Sequence, residues 1–154
     1  MEELPKLNFP PVDIPVRRRK DGQLYIPDLV RGGYKVLTPE EWVRRHLIWY
    51  LQSNCGAELR SIITEYPVAL NGTAQRADVV VVDSSGKPVL LAECKSHDVE
   101  IDKSVLAQAV RYNSVLKARY IVLTNGLRHY CYEQTDDGYL PLRSFPSLDI
   151  SRQE

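Results

Sequence analysis

The order of apolar and polar residues predicts a β-hairpin followed by a helix in the first third of the chain. Residues 16–37 contain extended runs around Asp21-Gly22, a dipeptide typical of tight hairpin turns. Thr38 suits the N-cap of the next segment, Pro39 suits its first turn, and Glu41 stands where a capping box places its acid. We therefore expect a hairpin that leads into an amphipathic helix.

The rest of the chain predicts three strands, a helix and two more strands. Apolar, β-branched runs lie at residues 59–70, 76–83 and 88–96, a helical pattern at 101–118, and further strand patterns at 119–124 and 127–134. Strands on either side of the SSGK turn should be antiparallel, and the strand–helix–strand unit should join parallel neighbours. The pattern predicts an α/β fold in which a mixed β-sheet is flanked by helices.

A single domain is predicted over residues 14–135. Residues 1–13 contain three prolines and are expected to form a flexible arm, whereas 136–154 form a turn-rich tail of uncertain order. With 154 residues, 44% of them apolar and 26% charged, the chain is long enough to bury a core and has the composition of a soluble domain.

Charge and cysteine content narrow the function classes. Formal net charge is zero, which argues against a protein that binds nucleic acid through a large basic excess, although a local cleft could still meet phosphate. The three cysteines are far apart and form no CxxC pair, which favours reduced thiols over a zinc ribbon or disulfides. Without a signal-peptide pattern or a long apolar run, we expect a cytoplasmic protein with no membrane partner.

The segment LLAECKSHD places charges at the end of an apolar strand. Glu93 and Lys95 lie on the same face because side chains alternate along a strand. If residues 84–87 form a four-residue loop, Asp78 lies directly opposite Glu93 on the neighbouring strand. Adjacent carboxylates need a proton, a cation or a hard metal such as Mg²⁺, and Lys95 could then act on water or phosphate. The alternative is that Asp78 caps a strand while Glu93 and Lys95 pair in solvent.

Two further motifs contain polar side chains that could be either structural or functional. Gln108 and Tyr112 share one helical face, where Tyr112 suits core packing and Gln108 requires hydrogen-bond partners. The basic block at residues 17–20 is either a solvated strand end or a phosphate contact.

The segment RADVVVVDSSGKPVLLAECKS resembles the D…ExK core of the PD-(D/E)xK nuclease superfamily, and QAVRYN resembles its QxxxY element. Together with KDGQLYIPDLVRGGYKVLTPEEWVRRHLIWYL and VLTNGLRHYCY, the chain resembles small standalone proteins related to the N-terminal nuclease domain of type I restriction enzyme R subunits. The resemblance implies a restriction-endonuclease-like αβββαβ core with an N-terminal β-hairpin. Ala77 replaces the proline of the pattern, and no GxxxxGK[ST] loop of an ATP-driven motor is present.

The resemblance also implies roles for individual residues. Asp78, Glu93 and the backbone carbonyl of Cys94 would hold Mg²⁺ or Mn²⁺, and Lys95 would be the catalytic lysine. The remaining candidates are Gln108 and Tyr112, which would support catalysis or contact DNA, Glu41 as a metal ligand or a plain capping residue, and Arg44 and Arg76 as nucleic-acid contacts.

The predicted function is a metal-dependent endonuclease that hydrolyses DNA in restriction or DNA processing. It would act as a homodimer or with a separately encoded restriction or motor subunit. The alternative is a non-catalytic nucleic-acid-binding or assembly module that works through such a partner.

Overall fold

The computed structural model describes residues 4–148 and contains two sheets and two α-helices. The smaller sheet consists of β1 (Arg17–Arg18), β2 (Leu24–Pro27) and β3 (Tyr34–Val36). The helices are α1 (Pro39–Ser53) and α2 (Lys103–Leu116). The larger sheet contains, side by side in this order, β4 (Ile62–Leu70), β5 (Thr73–Val82), β6 (Pro88–Cys94), β7 (Tyr120–Thr124), β8 (His129–Thr135) and β9 (Gly138–Leu142). The predicted α/β fold is confirmed and is compatible with a restriction-endonuclease-like core.

The connections determine the strand directions of the larger sheet. Strands β6 and β7 are parallel because α2 carries the chain back between them, and every other neighbouring pair is antiparallel. Neither helix in the described range has the length and apolar character needed to cross a membrane.

Both helices begin at side-chain caps, of which the cap at Thr38 was predicted from the sequence. The Thr38 hydroxyl accepts the Glu41 amide hydrogen at 3.0 Å, and Pro39 occupies the first helical turn. In α2, the Asp102 carboxylate accepts from the Ser104 amide at 3.0 Å. These caps satisfy amides that would otherwise lack partners and fix where each helix starts.

The six-stranded sheet has a hydrophobic cluster on each face. On the α1 face the cluster includes Val43, Leu47, Leu51, Val79, Val81, Leu90 and Ala92. On the α2 face it includes Val80, Leu91, Val105, Ala109, Ile121 and Leu123. The sheet is therefore covered on both sides, which explains why its central strands are almost continuously apolar.

The segments outside the predicted domain boundaries contribute to this fold. Leu7 and Phe9 are buried in the α1-side cluster, and the Asn8 amide donates to the carbonyl of Gly126 at 2.7 Å. The boundary expected at residue 13 thus falls inside a packed region. Strand β9 comes from the segment expected to form a tail of uncertain order, while residues 1–3 and 149–154 of the expected arm and tail lie outside the described residues.

The small sheet is attached to α1 through Asp28. Its carboxylate is buried, accepts the amide hydrogens of Val30 and Arg31, and pairs with the Arg45 guanidinium at 2.7 Å. Lys35 of β3 lies 3.6 Å from the same carboxylate. A buried charge is tolerated only when it is paired and hydrogen-bonded, and Asp28 meets both conditions.

Candidate functional site

The β5–β6 pairing agrees with the predicted register up to the residues next to Asp78 and Glu93. The pairs Val79–Ala92 and Val80–Leu91 continue directly to Asp78 and Glu93. Near the turn the prediction was wrong by one residue, because an irregularity between Val81 and Val82 pairs Val82 with Pro88. The extra residue is absorbed in β6, so the shift does not reach the candidate site.

The sheet is irregular at Asp78 on its β4 side as well. In β4, Thr64 and Tyr66 pair with Val79 and Ala77, and Glu65 between them has a φ of +52° and no strand partner. Ala77 packs in the α2-side cluster and Val79 in the α1-side cluster, although residues two apart in a regular strand share a face. Asp78 therefore lies where the side chains of β5 stop alternating regularly between the two faces of the sheet. Its carboxylate does not point in the direction that a regular strand would give it.

The Asp78 carboxylate accepts a hydrogen bond from a backbone amide of the neighbouring strand β6. Its Oδ2 accepts the Cys94 amide hydrogen at 2.8 Å, at the end of β6. This bond fixes Asp78 beside the segment that carries Glu93 and Lys95. Asp78 thus lies against Cys94, the residue between Glu93 and Lys95, at the end of β6.

Glu93 is the most buried carboxylate of this group. It is 7% exposed, and its Oε1 has no hydrogen-bond partner among the described residues. Burial raises the pKa of Glu93 far above its usual range, and the adjacent Asp78 carboxyl raises that pKa further, while Lys95 opposes both effects. A buried oxygen without a partner beside a second carboxylate favours a proton or a cation at this position.

Helix α1 contributes Glu40 and Arg44 to the same region. Partial burial and the negative charge of Asp78 raise the pKa of Glu40, whereas the positive charges of Lys95 and Arg44 lower it. Glu40 itself is exposed in the first turn of α1, within electrostatic reach of Asp78 and Lys95. Arg44 is 7% exposed, is influenced electrostatically by Asp78, and leaves its Nε without a partner.

Glu41, the predicted acid of the first helix, is engaged elsewhere. One of its carboxylate oxygens pairs with Arg44, and the other accepts from Nε of Arg45 at 3.1 Å. Its backbone amide is the group capped by Thr38. Sequence reasoning thus overlooked Glu40, although its spacing of four residues from Arg44 signals a shared helical face.

Gln108 and Tyr112 are connected to β5. Gln108 Nε2 donates to the Tyr112 hydroxyl at 2.7 Å, and that hydroxyl lies 3.5 Å from Oε1 of Gln75. Tyr112 is 5% exposed and belongs to the α2-side cluster, so it is also a core residue. The side-chain amide of Gln108, which requires hydrogen-bond partners, has one in the Tyr112 hydroxyl. Gln108 and Tyr112 together link α2 to β5, the strand that carries Asp78.

The remaining candidates occupy different surroundings. Arg76 is exposed on β5 and forms no ion pair within residues 4–148. Cys94 is fully buried, and burial raises the pKa of its thiol well above the usual value. In the described part of the chain, no three His, Cys, Asp or Glu side chains are grouped so that they alone could hold a metal ion.

Comparison with known families agrees with this architecture. The family model described as type I restriction enzyme R protein N terminus matches residues 39–146, from the first turn of α1 to beyond β9. No curated protein matches the sequence.

Proposed function

The chain belongs to the type I restriction enzyme R protein N-terminus family, and from this premise we propose that it is a metal-dependent nuclease that hydrolyses DNA phosphodiester bonds. The observation that carries the proposal is the hydrogen bond between the Asp78 carboxylate and the Cys94 amide, because Cys94 lies between Lys95 and Glu93, which has an unpartnered buried oxygen.

The donor set fits a hard divalent cation. Asp78 and Glu93 supply carboxylate oxygens, and the free Oε1 of Glu93 is the orphaned buried atom that a cation would satisfy. Mg²⁺ typically binds through one or two carboxylates together with substrate phosphate and water, so a third acidic side chain is not required. Bound there, Mg²⁺ or Mn²⁺ would acidify water and neutralise charge on the phosphate.

Lys95 has the chemistry required beside such a phosphate. Its backbone amide donates to the Thr124 carbonyl at 2.9 Å, which fixes the end of β6 against β7. Its ammonium group would stabilise the negative charge that develops as water attacks phosphorus and the P–O bond breaks. We assign Lys95 as the catalytic residue.

Glu40 and Arg44 complete the proposed site from α1. Glu40 replaces Glu41 as the acid from the first helix that borders the site without joining the metal ligands, because both Glu41 oxygens are used by arginines. Arg44 offsets the carboxylate charge of Asp78, and its buried Nε has no partner among the described residues. Gln108 and Tyr112 act as positioning residues that hold β5 through Gln75.

The test is cleavage of supercoiled plasmid and single-stranded DNA in Mg²⁺ or Mn²⁺ by the wild type, Lys95→Ala and Lys87→Ala. Lys87 is an exposed-turn lysine at the opposite end of β5 and β6, so it controls for loss of a charge. We expect cleavage to disappear only in Lys95→Ala. Retained cleavage in that variant would reject the assignment of Lys95.

Metal binding is measured separately by isothermal titration calorimetry. Asp78→Asn removes the charge but keeps an oxygen that can accept the Cys94 amide hydrogen. We expect the wild type and Lys95→Ala to bind Mn²⁺ and Asp78→Asn to bind it at least roughly tenfold more weakly. Equal binding by all three proteins would place the metal elsewhere.

A second candidate function is a non-catalytic module that binds nucleic acid or assembles with a restriction or motor subunit. It is favoured by the absence, within residues 4–148, of three acidic, histidine or cysteine side chains grouped around one point. That function predicts neither cleavage nor metal binding that depends on Asp78.

A further inference from the structure

We infer that the small sheet is a docking surface for the phosphate backbone of duplex DNA. We call residues 17–36, which comprise β1 to β3 and their turns, the basic ribbon. The inference rests on the proposed function for its choice of partner, but its evidence comes from residues outside the candidate site. It goes beyond that function by identifying which surface holds the substrate and which chemical part of the substrate it contacts.

The basic ribbon concentrates positive charge in a chain that is neutral overall. It contains six basic and two acidic residues, whereas the whole chain has 20 of each. Arg17, Arg18, Arg19 and Lys20 are consecutive and exposed, and none of them forms an ion pair with a described carboxylate. Local clusters of this kind attract phosphate even when net charge is zero.

Aromatic rings hold two of these guanidinium groups in place. The Arg17 guanidinium lies over the Tyr34 ring at 4.9 Å, and that of Arg19 over the Tyr25 ring at 4.2 Å. A stacked guanidinium keeps its N–H edge free, so its cation is presented to a ligand at lower entropic cost than a freely moving side chain.

The same stacking selects the kind of nucleic acid. Proteins that bind single strands place bases on open aromatic faces. Here arginine guanidinium groups lie over both tyrosine rings, Arg19 over Tyr25 and both Arg17 and Arg19 over Tyr34, which favours contacts to phosphates over stacking with bases. Asp21, the acid of the turn, accepts hydrogen bonds from Tyr25 and from the Gln23 amide, so its carboxylate already has partners.

The basic ribbon is joined firmly to the part of α1 that borders the candidate site. Strand β3 ends at Val36, four residues before Glu40. The Asp28–Arg45 ion pair and the bond from Arg31 Nη2 to the Thr64 carbonyl at 2.8 Å tie the ribbon to α1 and β4. A duplex held by the ribbon would therefore lie next to the site rather than at a distant surface.

The experiment measures binding without cleavage. Fluorescence anisotropy of a short labelled DNA duplex in EDTA, between ~50 and ~200 mM salt, gives the affinity and its salt dependence. The test variant is Arg17→Gln/Arg19→Gln. The matched control is Arg60→Gln/Lys87→Gln, which removes two exposed cations beside the Asp83–Lys87 turn. Circular dichroism melting verifies that all the proteins fold.

We expect the test variant to lose at least roughly tenfold in duplex affinity at low salt, with a salt slope shallower by about 2, and the control to match the wild type. Arg17→Lys/Arg19→Lys should retain the slope. Four results would each overturn the inference. These are an equal loss of affinity in the test and control variants, tighter binding to single-stranded DNA than to the duplex, competition by poly-glutamate equal to that by DNA, and no binding of the duplex by the wild type. The assay contains EDTA and measures binding alone, so its outcomes can be interpreted even if the protein does not cleave DNA.

Discussion

Removing the Asp28 carboxylate should weaken the whole fold, because this side chain fastens the basic ribbon to α1. Asp28→Ala removes the 2.7 Å ion pair with Arg45 and two amide hydrogen bonds of 3.0 Å each. The carboxylate and the guanidinium are 1% and 4% exposed, so water cannot replace the lost partner. The change therefore acts through desolvation as well as through lost contacts.

The size of the effect follows from these contacts. Removing one partner of a buried ion pair costs about 3–5 kcal/mol, and the two amides lose charge-assisted hydrogen bonds. Glu41 remains 3.1 Å from Arg45 and still compensates its charge, which places the expected loss at the lower end. We expect Asp28→Ala to reduce the free energy of unfolding by about 3 kcal/mol.

Urea denaturation followed by tryptophan fluorescence measures this loss, because both tryptophans lie in α1. Glu58→Ala is the control, since it breaks an ion pair whose side chains are 59% and 85% exposed, and it should cost less than ~1 kcal/mol. A double-mutant cycle with Arg45→Met isolates the pair. A loss below about 1 kcal/mol for Asp28→Ala, or no coupling to Arg45, would refute the argument.

Three further predictions concern backbone strain, packing and pH. Glu65→Val should destabilise the protein by about 1–2 kcal/mol and Glu65→Gly much less, because a β-branched residue at a φ of +52° is strained; equal urea midpoints would contradict this. Gly126→Ala should lower the melting temperature more than Gly86→Ala does. Both glycines have positive φ, but only a Cβ at Gly126 would meet another side chain, that of Leu7 at 2.6 Å. Burial lowers the pKa of His46 and of His129 in the folded protein, so the unfolded chain takes up protons at a higher pH than the folded protein does. The free energy of unfolding should therefore decline as pH falls below about 6.5. Urea midpoints should show this decline reduced in His46→Gln/His129→Gln, and an unchanged pH profile would remove the histidines as its cause.

The sequence predicted the strand pair at the candidate site from an assumed loop at residues 84–87, because loop length sets the register of a hairpin. Hydrophobic burial alone does not determine that Val79 pairs with Ala92, because both strands are apolar on both faces of the sheet. The irregularity beside Val82 was not predictable, since four consecutive valines contain no alternation that would mark a bulge.

The choice between Glu40 and Glu41 required the structure. Both acids lie in the first turn of α1, where either one suits the helix terminus. Only the packing of Arg44 and Arg45 decides which carboxylate is consumed by ion pairs. Neighbouring acids differ by about 100° around a helix, and the sequence does not say which angle faces the sheet edge.

The terminal segments eluded prediction for a different reason. Leu7 and Phe9 stand among prolines without periodicity, and they are buried because the α1-side cluster has space for them rather than because of a local preference. Strand β9 contains Pro141, and it is the outermost strand of the sheet, where proline is tolerated.

The bond from Cys94 to Asp78 has a consequence for spectroscopy. An amide proton held by a side-chain carboxylate, rather than by the strand ladder, exchanges with solvent when that side chain moves away. Hydrogen–deuterium exchange at Cys94 would therefore report the position of Asp78 separately from the opening of the sheet, which neighbouring ladder amides report. The chain thus contains its own probe of the candidate site, readable in the protein alone without substrate.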